Sequence, residues 1–422
     1  MPNPHPAASD DPGRDAPGPE LSPDTRAVRS GRGDNGKALA PILWATTTFE
    51  TDTVEEARRM ATAPGAHRFY SRYGNPTIKG FEEAVADLEG AEAARAFASG
   101  MGAISAVVLG LCSAGSHIVA QRRMYAGTTL LLQSACPRFG IDVTFVDGHE
   151  PGAFAEAVEP GRTMLVIAET PANPRLDIVD LDEIGGLMGP IKVVDSTLAT
   201  PLGQRPLDHG VDLVVHSATK AIAGHNDATL GVAAGSADLI GWLWSFAVLQ
   251  GANASPFDAM NGLRGLRTLG VRLRHQTESA LALARACQAH PAVSAVCHPG
   301  LESHPGHALA GRQMKLTGGL VTIDVAGGYD AAVRLTELIR VCRLATSLGG
   351  PETILTHPAS TTHAGLTEQE LAESGIAPGT IRISVGLEDP VDIEADVVSA
   401  LDAVAAEIAA GTLTPAPAAE RV

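Results

Sequence analysis

Basic residues are scarce in this 422-residue chain: 31 Lys and Arg stand against 48 Asp and Glu, a formal net charge of −17. That balance argues against a nucleic-acid partner, since phosphate contacts need clustered Lys and Arg. Cysteines are few, odd in number and scattered: Cys112, Cys136, Cys287, Cys297 and Cys342 never take a C-x-x-C spacing. They read as reduced thiols of a cytoplasmic protein, with neither a disulfide framework nor a zinc site. Long apolar runs are missing too. The best, near Leu239 to Leu249, falls short of the roughly 20 residues a membrane span requires. The N-terminus has no basic region and no apolar core, so no signal peptide is expected.

What the chain does have is 45% apolar composition, enough for one large core and a second, smaller one. Residues 1–24, rich in Pro, Asp and Gly, and the Ala/Pro-rich stretch 413–422 lack apolar periodicity and are expected to be disordered tails. Between them no internal repeat is found. Asn75-Pro76 opens a helix, with Ile78, Phe81, Val85 and Leu88 on one face. A second helix runs from Met101 to Cys112. Five nearly continuous apolar runs follow (HIVAQ, DVTFVD, MLVIAET, IKVVDST and VDLVVHS), the pattern of a parallel sheet covered on both faces. The expectation is a doubly wound α/β domain over 75–272. A helix-rich stretch from Arg272 to His290 should then lead into a smaller α+β domain over 273–412.

The most informative segment is DLVVHSATKAIAGHND. An apolar strand runs into Ser217, Thr219 and Lys220, and an ammonium beside a buried strand is costly unless paired or modified. Desolvation lowers its pKa and makes the amine nucleophilic toward an aldehyde. Ser217 and Thr219, read as lying on one side of the strand, suit phosphate oxygens. Upstream, Asp195 ends another apolar strand in VVDSTLATP. A carboxylate there can keep a pyridine nitrogen protonated, and in open parallel sheets functional groups gather beyond the strands' carboxyl ends. Ser99, Gly100 and Met101 begin a helix, whose N-terminus is an anion site that glycine lets a phosphate approach. Tyr125 offers a ring to stack on. Together these residues suit pyridoxal 5′-phosphate (PLP), with Lys220 holding it as a Schiff base.

The chain resembles the PLP-dependent Cys/Met-metabolism (trans-sulfuration) enzymes: methionine γ-lyase, cystathionine γ-synthase, cystathionine γ-lyase and O-acetylhomoserine sulfhydrylase. The blocks that carry the resemblance are FYSRYGNPT, ASGMGAI, YAGT, ETPANP, VVDSTLATP, HSATKAIAGHND, SPFDA, RGLRTL, SLGGPET, HPASTTH and IRISVGLED, in the family's order. The resemblance implies a fold-type I, aspartate aminotransferase-like structure. Its large domain would carry a mostly parallel seven-stranded sheet, and residues 25–74 would form an arm contacting a neighbouring subunit. Lys220 would be the Schiff-base lysine, Asp195 the pyridinium partner, and Ser99, Gly100, Met101, Ser217 and Thr219 the phosphate cup. Tyr125 would stack on the ring and serve in proton transfer. Tyr70 and Arg72 would reach the neighbouring subunit's cofactor, within a dimer or, as is usual in the family, a homotetramer. Arg382 would clamp the substrate α-carboxylate, helped by Ser347 and Asn173.

The implied chemistry is loss of the α-proton to Lys220 and departure of a group from Cγ. Its outcome is either elimination to a 2-oxo acid and ammonia or replacement by a nucleophile on an activated homoserine. Elimination is the primary expectation and a γ-replacement transferase the alternative. A silent PLP-binding regulator is disfavoured by the intact residue set, and a nucleotide-binding oxidoreductase by the lack of G-x-G-x-x-G near the sheet's start. Thr346 stands where cystathionine-handling members typically carry Glu, which lowers those activities. Gly127 stands where methionine γ-lyases usually carry Cys. Ser196, Leu198 and Ala126 replace the family's usual Asn, Phe and Gly. These changes, read as lying beside cofactor or substrate, suggest a non-standard γ-substituted substrate such as one from specialised metabolism.

Overall fold

Seven strands form the larger sheet: β1 (Ala93–Phe97), β2 (His117–Gln121), β3 (Asp142–Val146), β4 (Thr163–Glu169), β5 (Ile191–Asp195), β6 (Leu213–His216) and β7 (Gly231–Gly235). Their spatial order in this computed structural model, which describes residues 21–63 and 65–413, is β1-β7-β6-β5-β4-β2-β3. Strands β2 to β6 pair in parallel, while β7 runs antiparallel to both β6 and β1. The five apolar runs read from the sequence are β2 to β6. The other two strands, AARAF and GVAAG, escaped that reading because Ala and Gly carry little strand preference. Their small side chains serve packing: a Cβ on Gly231 would stand 2.0 Å from the Ser99 carbonyl oxygen, so β7 must carry glycine where the site's turn crosses it.

Helices cover both faces. On one, Phe81 and Val85 of the Pro76–Glu89 helix pack with Val214 and Val232. On the other, Ile104 and Val107 of the Gly100–Leu111 helix pack with Val193 and Val215. Both helices start with a capping side chain, Asn75 Oδ1 accepting from Thr77 N at 2.9 Å and Ser99 Oγ from Gly102 N at 3.0 Å.

A second sheet orders as β10-β11-β12-β9-β8, from β8 (Val293–Cys297), β9 (Leu320–Val325), β10 (Arg343–Leu344), β11 (Ile354–Thr356) and β12 (Thr380–Ser384). Its core gathers Val321, Ile381, Leu335 and Val397. The helix expected from Arg272 starts at Leu269 and runs to Gln288. It serves both cores, with Leu269 and Leu273 in the first and Leu283 and Ala284 in the second, so the sequence boundary at 272 falls inside one continuous helix. Most of the two expected tails lies outside the described residues. Pro23 and Asp24 open a helix, Pro23–Arg29, and the Asp24 carboxylate pairs with Arg274 at 2.8 Å. No helix among the described residues is long and apolar enough to cross a membrane.

Candidate active site

The carboxyl ends of β4, β5 and β6, the start of the Gly100–Leu111 helix and the loop before β11 enclose a cavity of about 370 Å³. Ser99, Gly100, Met101, Tyr125, Asn173, Asp195, Ser217, Thr219, Lys220, Thr346, Ser347 and Arg382 all line it. Residues up to 283 positions apart in sequence, Ser99 and Arg382, thus meet in one place. Tyr70 and Arg72 do not line it. Within their own chain, Arg72 Nη1 donates to the Val248 carbonyl at 2.6 Å and its guanidinium lies 5.5 Å from the Tyr70 ring centroid, while Tyr70 is half exposed.

Two details depart from the sequence reading. Strand β6 stops at His216, so Ser217 and Thr219 sit on the turn beyond it and not along the strand. The turn is pinned by Ser217 N donating to Thr197 Oγ1 at 2.8 Å and Leu230 N donating to Thr219 Oγ1 at 2.8 Å. Ser196 is absent from the cavity wall. It is fully buried, with its hydroxyl accepting from Gln204 Nε2 at 3.3 Å, because it follows Asp195 and alternation turns it to the other side. Leu198 does line the cavity.

Lys220 Nζ donates to Ser347 Oγ at 2.7 Å. Burial and the nearby Arg382 charge pull its pKa down from 10.5 to about 8, so a useful fraction is free amine near neutral pH. Ser347 holds a left-handed backbone, φ 83°, uncommon outside glycine. That conformation presents its hydroxyl to Lys220 while its carbonyl accepts from Arg382 Nη2 at 2.6 Å. Arg382 is 3% exposed on β12, the central strand of the second sheet. Burial lowers it to about 10, which leaves it charged at neutral pH. Its Nη1 donates to Asn173 Oδ1 at 2.7 Å, while Nε has no partner. A buried guanidinium with an idle donor is suited to receive a carboxylate.

Asp195 Oδ1 accepts from both the backbone N and Oγ1 of Thr197, at 2.9 and 2.5 Å. Burial raises the Asp195 pKa, and these bonds oppose the rise. Among the cavity residues that escaped the sequence reading are Thr197, Thr229 and Glu169. Glu169 had a legible signal, since it ends an apolar strand as Asp195 does. It lies opposite Asp195 in the β4–β5 register, and burial and the Asp195 charge push it up to about 8. Among the described residues no cluster of His, Cys, Asp and Glu could hold a metal ion.

A family model described as Cys/Met metabolism PLP-dependent enzyme matches residues 24–402. L-methionine gamma-lyase of Porphyromonas gingivalis is 41% identical, with 90% of this chain and 97% of the relative covered. O-succinylhomoserine sulfhydrylase of Pseudomonas aeruginosa is 40% identical over 90% of this chain and 95% of its own. A crystal structure of cystathionine gamma synthase from Xanthomonas oryzae pv. oryzae, in complex with aminoacrylate and cysteine, superposes with a TM-score of 0.86 at 37% identity. It covers 92% of this chain and 99% of that one.

Proposed function

Because the chain belongs to the Cys/Met-metabolism PLP-dependent enzymes, we propose that it is a lyase that eliminates an uncharged group from Cγ of an L-amino acid. The cavity's residues fit the cofactor. Gly100 lets the helix start approach the Ser217 turn so closely that a Cβ there would stand 2.7 Å from that of Ser217, which brings the helix N-terminus and the Ser217 and Thr219 hydroxyls to one part of the wall, suited to a phosphate. Lys220 offers the amine for the aldehyde, Asp195 the carboxylate for the pyridine nitrogen, and Tyr125 the ring for its face. When bound, PLP supplies the electron sink that makes the substrate α-proton acidic.

The protein's own side chains do the rest. Arg382, whose guanidinium borders the cavity, holds the substrate α-carboxylate, and Ser347 and Asn173 hold Arg382. With its pKa near 8, Lys220 Nζ takes the α-proton at neutral pH, and the Ser347 hydroxyl keeps it aimed. Tyr125, at the cavity wall, is assigned the second proton transfer, at the leaving-group end.

The observation that carries the choice of leaving group is the charge of the wall. Its charged residues are Glu169, Asp195, Lys220 and Arg382, each already tied to the cofactor end or the α-carboxylate. The remaining wall, including Leu198, Thr346 and Thr362, is uncharged. A γ-substituent bearing its own carboxylate or ammonium would be desolvated there without a partner from this chain. This supports L-methionine-like thioethers or a non-standard uncharged substituent over cystathionine. γ-Replacement uses the same residues, and the 40% identity to a sulfhydrylase supports it as the second reading. The test is a panel of γ-substituted amino acids read by product mass, with 2-oxo acid and ammonia assayed with and without thiol. Uncharged substituents should give 2-oxo acid and ammonia without thiol; product only with thiol overturns elimination in favour of replacement.

The same reading makes the active unit a homotetramer built from dimers, with Tyr70 and Arg72 serving the neighbouring subunit's cofactor. Their place outside their own cavity supports it. A cytoplasmic setting, supported by five free cysteines, completes the reading, as does a large PLP-binding domain over 75–272 followed by a small one.

A further inference from the structure

We propose that Glu169 is a positioning residue that ties the ring-stacking tyrosine and the carboxylate clamp into one unit. Glu169 closes β4 and is 5% exposed. One carboxylate oxygen accepts from Tyr125 N at 2.5 Å and the other from Asn173 N at 2.8 Å. Asn173 Oδ1 in turn accepts from Arg382 Nη1 at 2.7 Å. The segment after β2 and the turn after β4 therefore meet on one carboxyl group, and strand β12 of the second sheet joins them through Asn173.

Only a group with two acceptor oxygens makes both bonds. A glutamine in the same place offers one acceptor and one donor, and the donor would face a backbone N–H. The arrangement is also costly, since Glu169 stands beside Asp195 in a buried setting that resists a second negative charge. The geometry that only a carboxylate provides is a fixed separation between the ring's stacking partner and the clamp that orients the substrate.

The inference rests on the assignment of Tyr125 to the cofactor face and Arg382 to the α-carboxylate. The test uses the PLP-loaded protein and norleucine, which has no γ leaving group, titrated by the change in visible absorbance. Glu169→Gln should weaken norleucine binding roughly tenfold, the effect of about one lost buried hydrogen bond. It should also change the visible circular dichroism of the bound cofactor, because Tyr125 N is released. Asn173→Ala breaks the chain one link further on, so it should weaken binding similarly and should add little in the double variant. If Glu169→Gln does not fold, Glu169→Asp, which keeps two acceptor oxygens on a shorter arm, takes its place with the same expected outcomes, since Asn173→Ala leaves the backbone N that Glu169 holds intact. Normal norleucine binding in the variant tested, or a lowered melting temperature with binding and dichroism unchanged, overturns the proposal. Arg382→Ala separates the two layers. If it binds norleucine normally, the clamp assignment itself fails; if it binds weakly while Glu169→Gln binds normally, only the role of Glu169 fails.

Discussion

Arg382 sits close enough to Lys220 to weaken its hold on a proton, and both side chains are desolvated. The Lys220 amine drops from 10.5 to about 8 in the folded protein. A lysine with a depressed folded pKa binds its proton more weakly folded than unfolded, so its charge opposes folding fully below about 8, and the penalty fades as pH rises toward 10.5. Cofactor-free Lys220→Met should therefore melt above the parent protein at pH 7, by a margin that shrinks toward pH 10.5. A margin constant across that range would rule out the depressed amine. Lys220→Ala should also lack the yellow colour of the lysine-bound cofactor. For Arg382, a lysine keeps the charge but loses the fork that reaches Asn173 and Ser347 together. Arg382→Lys should raise KM roughly 10- to 100-fold, for a lost charge-assisted bond of about 1.5–3 kcal/mol. The resting absorbance should hold, and an unchanged KM would refute the clamp.

At the level of elements, the site depends on close approaches between pieces that each have a second task. The start of the Gly100–Leu111 helix meets the Ser217 turn so closely that a Cβ at 100 would collide with the Ser217 side chain. Gly100→Ala should push the two apart and weaken cofactor retention on dialysis, with far-ultraviolet dichroism intact; full retention would mean that the cradle tolerates widening. The loop before β11 stores conformational cost at Ser347, about 1–3 kcal/mol for a non-glycine residue with positive φ. Ser347→Gly should melt higher than Ser347→Ala, because only glycine relieves that backbone. Both should lower kcat through loss of the hydroxyl that receives Lys220. Equal melting temperatures would show that Ser347 carries no strain. The strands themselves were legible where Val, Ile and Leu dominate, as in β4 to β6. They were hidden in β1 and β7, where Ala and Gly leave room for helices at the expense of a readable pattern.

For the whole molecule, the proposed sharing of residues between subunits makes a prediction that no single chain can mimic. Arg72→Ala and Lys220→Ala homo-oligomers should each be nearly inactive. Unfolding and refolding them together should restore activity, because a mixed dimer holds one site with both residues intact. Failure to recover any would place Arg72 in its own subunit's structure alone. Within one chain, the Leu269–Gln288 helix threads both cores, so the second sheet that carries Arg382 is coupled to the first that carries Lys220.

The chemical class was legible in the sequence by itself. A lysine after one apolar strand, an acid ending another and a glycine-rich helix start are local features, each set by neighbours within a few residues. The charge of the cavity wall was legible only at one position, Thr346, where the sequence lacks an acid. It depends on which side chains share a wall, and the contact between Asn173 and Arg382 joins positions 209 apart. Glu169 shows the same limit: its strand-end position could be read, but its two bonds arise only when separate segments fold onto it. Strand alternation and turn residues act along the chain, whereas cavity electrostatics act through space, and only tertiary structure decides those distances.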